Sequence, residues 1–326
     1  MFSILICTRN SNRVISEVIS SIFSQTKISL IDEVILVDYM SKDDTIEIVN
    51  LLFLNSILSL KIINCTKAGK SNALVEGLNI SKSSYTIILD DDNILMNDYI
   101  ENAYNILNNN KNIGCLGSMG FIDDNFDKYP SWFDKYKASF AIGLPAQNKS
   151  TDWVWGAASI IKMDSWIELT KRNFNFCLNV ERLNQNTPVS LGGEDVELSL
   201  AIKLAGYDIS FSDKIKFIHK FDTSRLVDYF LIKNNEGVAV SVPIHEIYRA
   251  FIYHNSLKNI FFIWHLRVIK KIIIVIILLF KEIFFFKGNV AIQMQLSTLK
   301  GILIGYKSAF NNHKTLFKKI RMLNNK

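Results

Sequence analysis

Residues 85–93 read Tyr85-Thr86-Ile87-Ile88-Leu89-Asp90-Asp91-Asp92-Asn93. A short apolar run stops abruptly at three consecutive carboxylates. Bounded this way, it suits a strand buried on both faces. The same pattern recurs toward the amino terminus. Phe2 to Cys7 is an apolar run ending in the polar loop Thr8-Arg9-Asn10-Ser11-Asn12, and Val14, Val18, Ile19, Ile22 and Phe23 then fall on one helical face. Glu33 to Val37 is a second such run, closed by Asp38. Ser41-Lys42-Asp43-Asp44 signals a helix start before Ile46, Val49 and Leu52. Lys61 to Ile63 predicts a third strand and Lys70 to Ile80 a third helix. This alternation predicts an α/β fold with a mostly parallel central sheet and helices on both faces. Ligands of such sheets sit beyond the carboxyl ends of the strands. The polar residues placed there are Thr8 to Asn10, Asp38, Asn64 and Asp90 to Asp92.

Toward the carboxyl terminus, Phe121 to Asp152 is aromatic and loop-like, and Trp153 to Lys162 predicts a strand. Gly192-Gly193 precedes a helix from about Glu194 to Ala205, ended by Gly206. Ile215 to His219 predicts a last strand. No internal repeat is visible.

The chain has 326 residues, 49% hydrophobic and 21% charged, which excludes disordered and fibrous classes. Cys7, Cys65, Cys115 and Cys177 form no CxxC pair, which excludes a thiolate zinc site of the usual spacing and gives no disulfide framework. Met1 to Thr8 lacks a basic region and a long apolar core, so no signal peptide and a cytoplasmic, reducing setting are expected. Ser241 to Lys326 holds 14 Lys and Arg against 2 Asp and Glu, a net of +12, and the preceding 240 residues carry −6. An acidic body with a basic tail argues against a nucleic-acid partner.

Three constellations carry chemistry. In Asp90-Asp91-Asp92, extended backbone would point Asp90 and Asp92 to one side. Carboxylates without thiols suit a hard cation, Mg²⁺ or Mn²⁺, that also binds phosphates. The bland alternative, a solvated acidic turn, leaves three like charges repelling one another. Gly192-Gly193-Glu194-Asp195 opens a helix whose dipole alone would favour acidic residues, but paired glycines also allow close backbone approach. His219 ends an apolar strand, and only company with the aspartates would make it a metal ligand.

Two nucleotide-binding motifs fail. Ala68-Gly69-Lys70-Ser71 resembles the end of a P-loop, which would require glycine at position 64, where the chain has Asn64. A P-loop-like phosphotransferase is therefore a minor alternative. The first strand-to-helix turn has no glycine, so the Rossmann fingerprint fails as well.

Taken in order, these motifs resemble those of inverting family 2 glycosyltransferases of the GT-A fold, the type that builds bacterial polysaccharides. The matching residues are Thr8-Arg9-Asn10, then Val37-Asp38 with Ser41, Asp43 and Thr45, and Lys67-Ala68-Gly69-Lys70-Ser71-Asn72-Ala73. Leu89-Asp90-Asp91-Asp92, Trp155-Gly156-Ala157, and Gly193-Glu194-Asp195 with Glu197 and Leu198 complete the set. They span about Met1 to Asp222. The resemblance implies a Rossmann-like GT-A domain over residues 1–240 and a nucleoside-diphosphate sugar donor. It implies that Thr8, Arg9, Asn10, Asp38 and Lys70 line the nucleotide pocket, with Asp38 on the base. Asp90 would contact the ribose or sugar, Asp91 would belong to the same nucleotide-sugar-binding set, and Asp92 with His219 would hold Mn²⁺ or Mg²⁺. Asp195 matches the catalytic base and Glu194 its supporting neighbour, while Trp155 and Gly156 fall on the acceptor side. Tyr39-Met40 departs from the small or polar residues usual before Ser41. A non-catalytic sugar-nucleotide or glycan-binding subunit of an assembly complex is the alternative from another class.

Residues 241–326 predict a helical extension. Ile260 to Phe286 is the most apolar stretch, yet its longest uncharged run past Arg267, Ile272 to Phe280, is far short of the roughly 20 residues a spanning helix needs. At 100° per residue Arg267, Lys270, Lys271, Lys281 and Glu282 share a sector of about 120°, with Ile, Val, Leu and Phe opposite. A basic stripe beside an aliphatic face predicts peripheral attachment at the inner face of the cell membrane, where a glycan or lipid-linked acceptor would be met. Packing on the body or in a homodimer is the alternative.

Overall fold

A computed structural model of the chain describes residues 1–67, 69–123, 129–145, 151–177, 192–254, 259–285 and 288–324. Its elements in chain order are β1 (Phe2–Thr8), α1 (Ile15–Phe23), β2 (Ile31–Asp38), α2 (Thr45–Phe53), β3 (Ser59–Asn64), α3 (Lys70–Ile80), β4 (Tyr85–Asp90) and β5 (Asn93–Leu95). α4 (Tyr99–Asn109), β6 (Ile113–Ile122), α5 (Phe133–Tyr136), β7 (Ser159–Lys162), α6 (Met163–Lys171), α7 (Glu194–Leu204) and β8 (Asp208–His219) follow. The chain ends in α8 (Asp228–Tyr253), α9 (Ile260–Phe284), α10 (Asn289–Asn311) and α11 (His313–Met322).

The chain forms two compact units. One comprises Met1–Asp127, Phe140–Glu168 and Tyr207–Phe221; the other comprises Lys128–Ser139, Leu169–Gly206 and Asp222–Lys326. The division expected after residue 240 falls inside α8, a single helix of 26 residues.

The first unit contains one eight-stranded sheet in the order β3-β2-β1-β4-β7-β6-β8-β5. β1 to β4 pair only in parallel among themselves. β7 runs antiparallel to both β4 and β6, and β5 antiparallel to β8, so the sheet as a whole is mixed. Alternation along β1 divides the core. Ile4 and Ile6 join a cluster with Val18, Ile19 and Ile22 of α1, whereas a Cβ added to Gly77 of α3 would strike Leu5. Helices therefore cover both faces, and the fold is α/β of the GT-A type.

Two strand expectations are corrected. β7 begins only at Ser159, because Ala158 adopts a left-handed conformation (φ 47°) and breaks the extended run from Trp153. The run ending at His219 begins earlier, at Asp208. Its polar first half pairs in parallel with β6, a backbone interaction that hydropathy does not reveal.

In the second unit α8 packs against α7, α9 and α10. Gly301 and Gly305 of α10 press onto α8. A Cβ at Gly305 would lie 2.0 Å from the Val240 carbonyl oxygen, and one at Gly301 would lie 2.5 Å from that of Glu236. Gly305→Val should therefore destabilise the protein by about 1–3 kcal/mol or more, the usual range for overpacking. Equilibrium denaturation checks this. An unchanged midpoint would mean that α10 can back away from α8 at no cost.

The basic sector expected on α9 is divided. Glu246 of α8, 1% exposed, is met by Arg249 at 3.0 Å, Arg267 at 2.6 Å and Lys271 at 4.0 Å. Buried Glu282 is met by Lys135 at 3.0 Å. A buried carboxylate left unpaired would be costly, so these pairs draw Arg267 and Glu282 toward the protein. Lys270, Lys271 and Lys281 stay exposed. Phe286 and Lys287 lie outside the described residues. Among those described, no helix is long and apolar enough to cross a membrane.

Candidate active site

Parallel register gathers the polar strand ends at one edge of the first unit's sheet. Thr8 pairs with Asp38, Asp38 with Asn64, and Cys7 with Asp90. β5 and β8 bring a more distant segment to the same strand-end cluster, since Asn93 lies opposite His219.

The three aspartates have different partners. Asp90 accepts the Lys70 ammonium at 2.5 Å. Asp91 turns toward the β1 loop, where its Oδ2 accepts from the Thr8 hydroxyl at 2.8 Å, the Ser11 hydroxyl, and the Arg9 amide at 3.2 Å. Burial raises the Asp91 carboxyl above its ordinary value against the hydrogen bonds from Ser11 and Thr8, and the charge of Asp92 adds to the rise. Asp91 and Thr8 thus brace the loop that carries Arg9. Asp92 faces His219, with Oδ2 3.3 Å from Nε2.

The remaining predicted nucleotide-site residues are also anchored. Asn10, in the left-handed region at φ 57°, donates its amide to Ser41 Oγ at 3.0 Å and accepts the Lys42 amide at 2.8 Å. Asp38, 8% exposed, accepts the Ser41 amide at 3.2 Å and so closes its own turn. Tyr39 has a role its departure from the family pattern did not disclose. Its hydroxyl accepts the Gly69 amide at 2.8 Å, immediately before Lys70, and the Arg9 guanidinium lies 5.1 Å from its ring centre. Tyr39 therefore links the loops that carry Arg9 and Lys70. Ala68 lies outside the described residues.

The donor set fits a hard divalent cation that also takes ligands from a diphosphate. His219 Nδ1 lies 2.7 Å from the Phe140 carbonyl and donates to it, which leaves Nε2 as the nitrogen that faces Asp92 and that, once deprotonated, would offer its lone pair to a cation. Burial lowers the His219 pKa, but the hydrogen bond and charge of Asp92 outweigh it, so the ring sits above its ordinary value. Among the described residues no group of three or more His, Cys, Asp or Glu side chains gathers as a metal cage. Two protein ligands are the number expected where phosphate and water oxygens complete the shell.

Trp155 and Gly156 lead into the left-handed turn at Ala158. The Gly156 carbonyl accepts from the Ser159 hydroxyl at 3.1 Å, and the Ala158 carbonyl accepts from Ser118 at 2.8 Å and from buried Tyr99. Trp155 packs partly on the core and lies edge-on to Trp153, with ring centres 6.4 Å apart. This anchoring holds the indole at the turn.

Glu194 and Asp195 belong to the second unit, in the first turn of α7. Gly193 precedes them at φ 102°, and a Cβ there would lie 2.5 Å from Ser241 Oγ and 2.9 Å from the His245 ring. His245, 4% exposed, places Nε2 3.0 Å from the Gly193 carbonyl. One turn on, fully buried Glu197 accepts from the Cys177 amide at 2.7 Å and the Tyr248 hydroxyl at 2.9 Å. Asp195 is half-buried, and its Oδ1 accepts the Val196 amide at 2.8 Å. Sequence reasoning missed Ser241, His245 and Tyr248 as supports of this turn. The available signal was Glu197, a carboxylate set among apolar helix residues and therefore in need of donors.

The model of the family described as glycosyl transferase family 2 matches residues 3–168, just over half of the chain. The chain belongs to glycosyl transferase family 2. Among solved structures this glycosyltransferase resembles the mannosyltransferase PcManGT from Pyrobaculum calidifontis, in complex with GDP-Man and Mn²⁺. The TM-score is 0.56 at 15% identity, over 99% of this chain and 84% of that one. It also resembles residues 1–349 of S. aureus TarS, with a TM-score of 0.50 at 15% identity over 98% and 91% of the respective chains. A structure of that same TarS fragment contains UDP. At these identities the likeness is one of fold. No curated protein matches the sequence.

Proposed function

We propose that this glycosyltransferase is a metal-dependent inverting enzyme. It moves a sugar from a nucleoside-diphosphate sugar to a hydroxyl of a glycan or lipid-linked acceptor in surface-polysaccharide synthesis, at the inner face of the cell membrane. The observation that carries this reading is the approach of Asp92 to His219 beside the Lys70–Asp90 pair. A cation-ready carboxylate and imidazole next to a lysine suit a diphosphate. GDP-Man and UDP, in the neighbouring structures, belong to the proposed donor class and its product.

In this reading Asp38 meets the base, Arg9 and Lys70 meet phosphate, and Asp90 meets ribose or sugar while orienting Lys70. Thr8, Asn10 and Asp91 act as the brace beneath them. Asp92 and His219 would hold Mn²⁺ or Mg²⁺, which when bound neutralises charge developing on the diphosphate leaving group. Asp195 takes the proton from the acceptor hydroxyl as that oxygen attacks the anomeric carbon opposite the leaving group, with Glu194 in support and Trp155 and Gly156 on the acceptor side. The positive end of α7 favours the ionised carboxylate of Asp195. The Gly193–His245 contact limits where that carboxylate can move, and such positioning supplies part of the effect of a weak base.

The test is release of nucleoside diphosphate from a panel of labelled sugar nucleotides by the full chain. Turnover should appear with Mn²⁺ or Mg²⁺ and disappear with chelator. A chain that binds a sugar nucleotide yet turns none over, with any metal or acceptor tried, is the non-catalytic subunit.

A further inference from the structure

The outward side of α9 carries an apolar row that stays exposed among the described residues. Phe262, Leu266, Ile269, Ile273, Ile277 and Phe280 are each between 46% and 67% exposed. At 100° per residue they fall within roughly 80°, opposite buried Trp264, Val268, Val275 and Glu282. From Phe262 to Phe280 there are nineteen residues, and the eighteen helical rises between them make this row about 27 Å long. Soluble surfaces seldom leave so large a continuous apolar strip uncovered.

Charge selects the occupant. Lys270 and Lys281 flank the row on one edge, and both are exposed. The only two carboxylates between Ser241 and Lys326 are Glu246 and Glu282, both buried against basic partners. α9 itself therefore exposes lysines and no carboxylate, since its one acidic residue, Glu282, is buried. A second copy docked two-fold on α9 would bring lysines toward lysines with no counter-charge. An anionic lipid surface offers both an apolar interior for the row and negative charge for the lysines.

We infer that α9 lies in the plane of an anionic membrane surface, its Phe262-to-Phe280 row inserted among acyl chains and Lys270 and Lys281 at the headgroups. Arg267 takes no part, because it serves Glu246 at 2.6 Å; Lys271, although exposed, lies about 160° round the helix from the centre of the row. The attachment does not depend on the catalytic assignment; only its use in reaching a lipid-linked acceptor rests on the proposed function.

The experiment is co-sedimentation of the full chain with phosphatidylglycerol or phosphatidylcholine vesicles, without donor or acceptor, so a failed catalytic assignment cannot alter the result. Wild type should bind the anionic vesicles preferentially and lose affinity as salt rises. Ile273→Glu with Ile277→Glu should abolish binding, and the outward position of both residues should leave the thermal midpoint near wild type. Lys270→Gln with Lys281→Gln should weaken anionic binding on the order of 30-fold, about fivefold per basic residue. Lys271→Gln should change binding less than twofold. Equal losses from Lys271→Gln and from Lys270→Gln would overturn the assigned face. A wild type that ignores vesicles overturns the proposal; if it also forms a dimer that the two glutamates split, the row is an interface between copies.

Discussion

Asp92→Ala should weaken cation-dependent binding of a nucleoside diphosphate by at least about 100-fold, since losing merely a second-shell partner of a metal costs 10–100-fold. Asp92 is one of two side chains in the candidate cation site, and its partner His219 is held from behind by the Phe140 carbonyl. Removing the carboxylate leaves a nearly buried imidazole without the anion its Nε2 now faces, with only the more distant charge of Asp90 still acting on it. The raised pKa of His219 owes its upward part chiefly to Asp92, so the ring should become easier to deprotonate and the fold should survive. Calorimetry with and without chelator, beside a thermal melt, separates the two effects. His219→Ala should weaken the same binding. Unchanged chelator-sensitive affinity in the Asp92 variant would remove Asp92 from the metal site.

Asp195→Asn should leave donor binding near wild type and lower turnover by at least about 10²-fold, the lower end of general-base effects. The substitution keeps the shape and an amide oxygen able to accept the Val196 amide, as Oδ1 does now at 2.8 Å. What it removes is the negative charge and the capacity to take a proton. Glu197, Tyr248, and the contact between His245 and Gly193 are unaffected, so the turn should hold. Steady-state kinetics over donor concentration provide the readout: a fall in kcat at constant donor KM supports the base. Retention of most turnover would move the role to Glu194.

The parallel half of the fold was legible because its signals are local. Apolar runs closed by Thr8, Asp38, Asn64 and Asp90 mark strand ends, and alternation with helices makes those ends neighbours at one sheet edge. The antiparallel half was less legible. β5 has three residues, and β8 begins with polar residues whose pairing to β6 is a matter of backbone hydrogen bonds.

The sequence by itself determined the α/β class, the row of carboxylates at the strand ends and the excess of positive charge in residues 241–326, because periodicity, chain order and composition belong to the chain alone. Only the tertiary structure decided what each of those groups faces. It brought His219 to Asp92 through the pairing of β5 with β8, and it turned Asp91 back onto Thr8 and Ser11. It also drew Arg267 toward Glu246 while leaving Lys270, Lys271 and Lys281 exposed. The reason is that burial penalises an unpaired charge, so a buried carboxylate takes the nearest donors the packing supplies. Which donors are nearest depends on contacts between residues far apart in the chain, and spacing along the sequence carries no record of them.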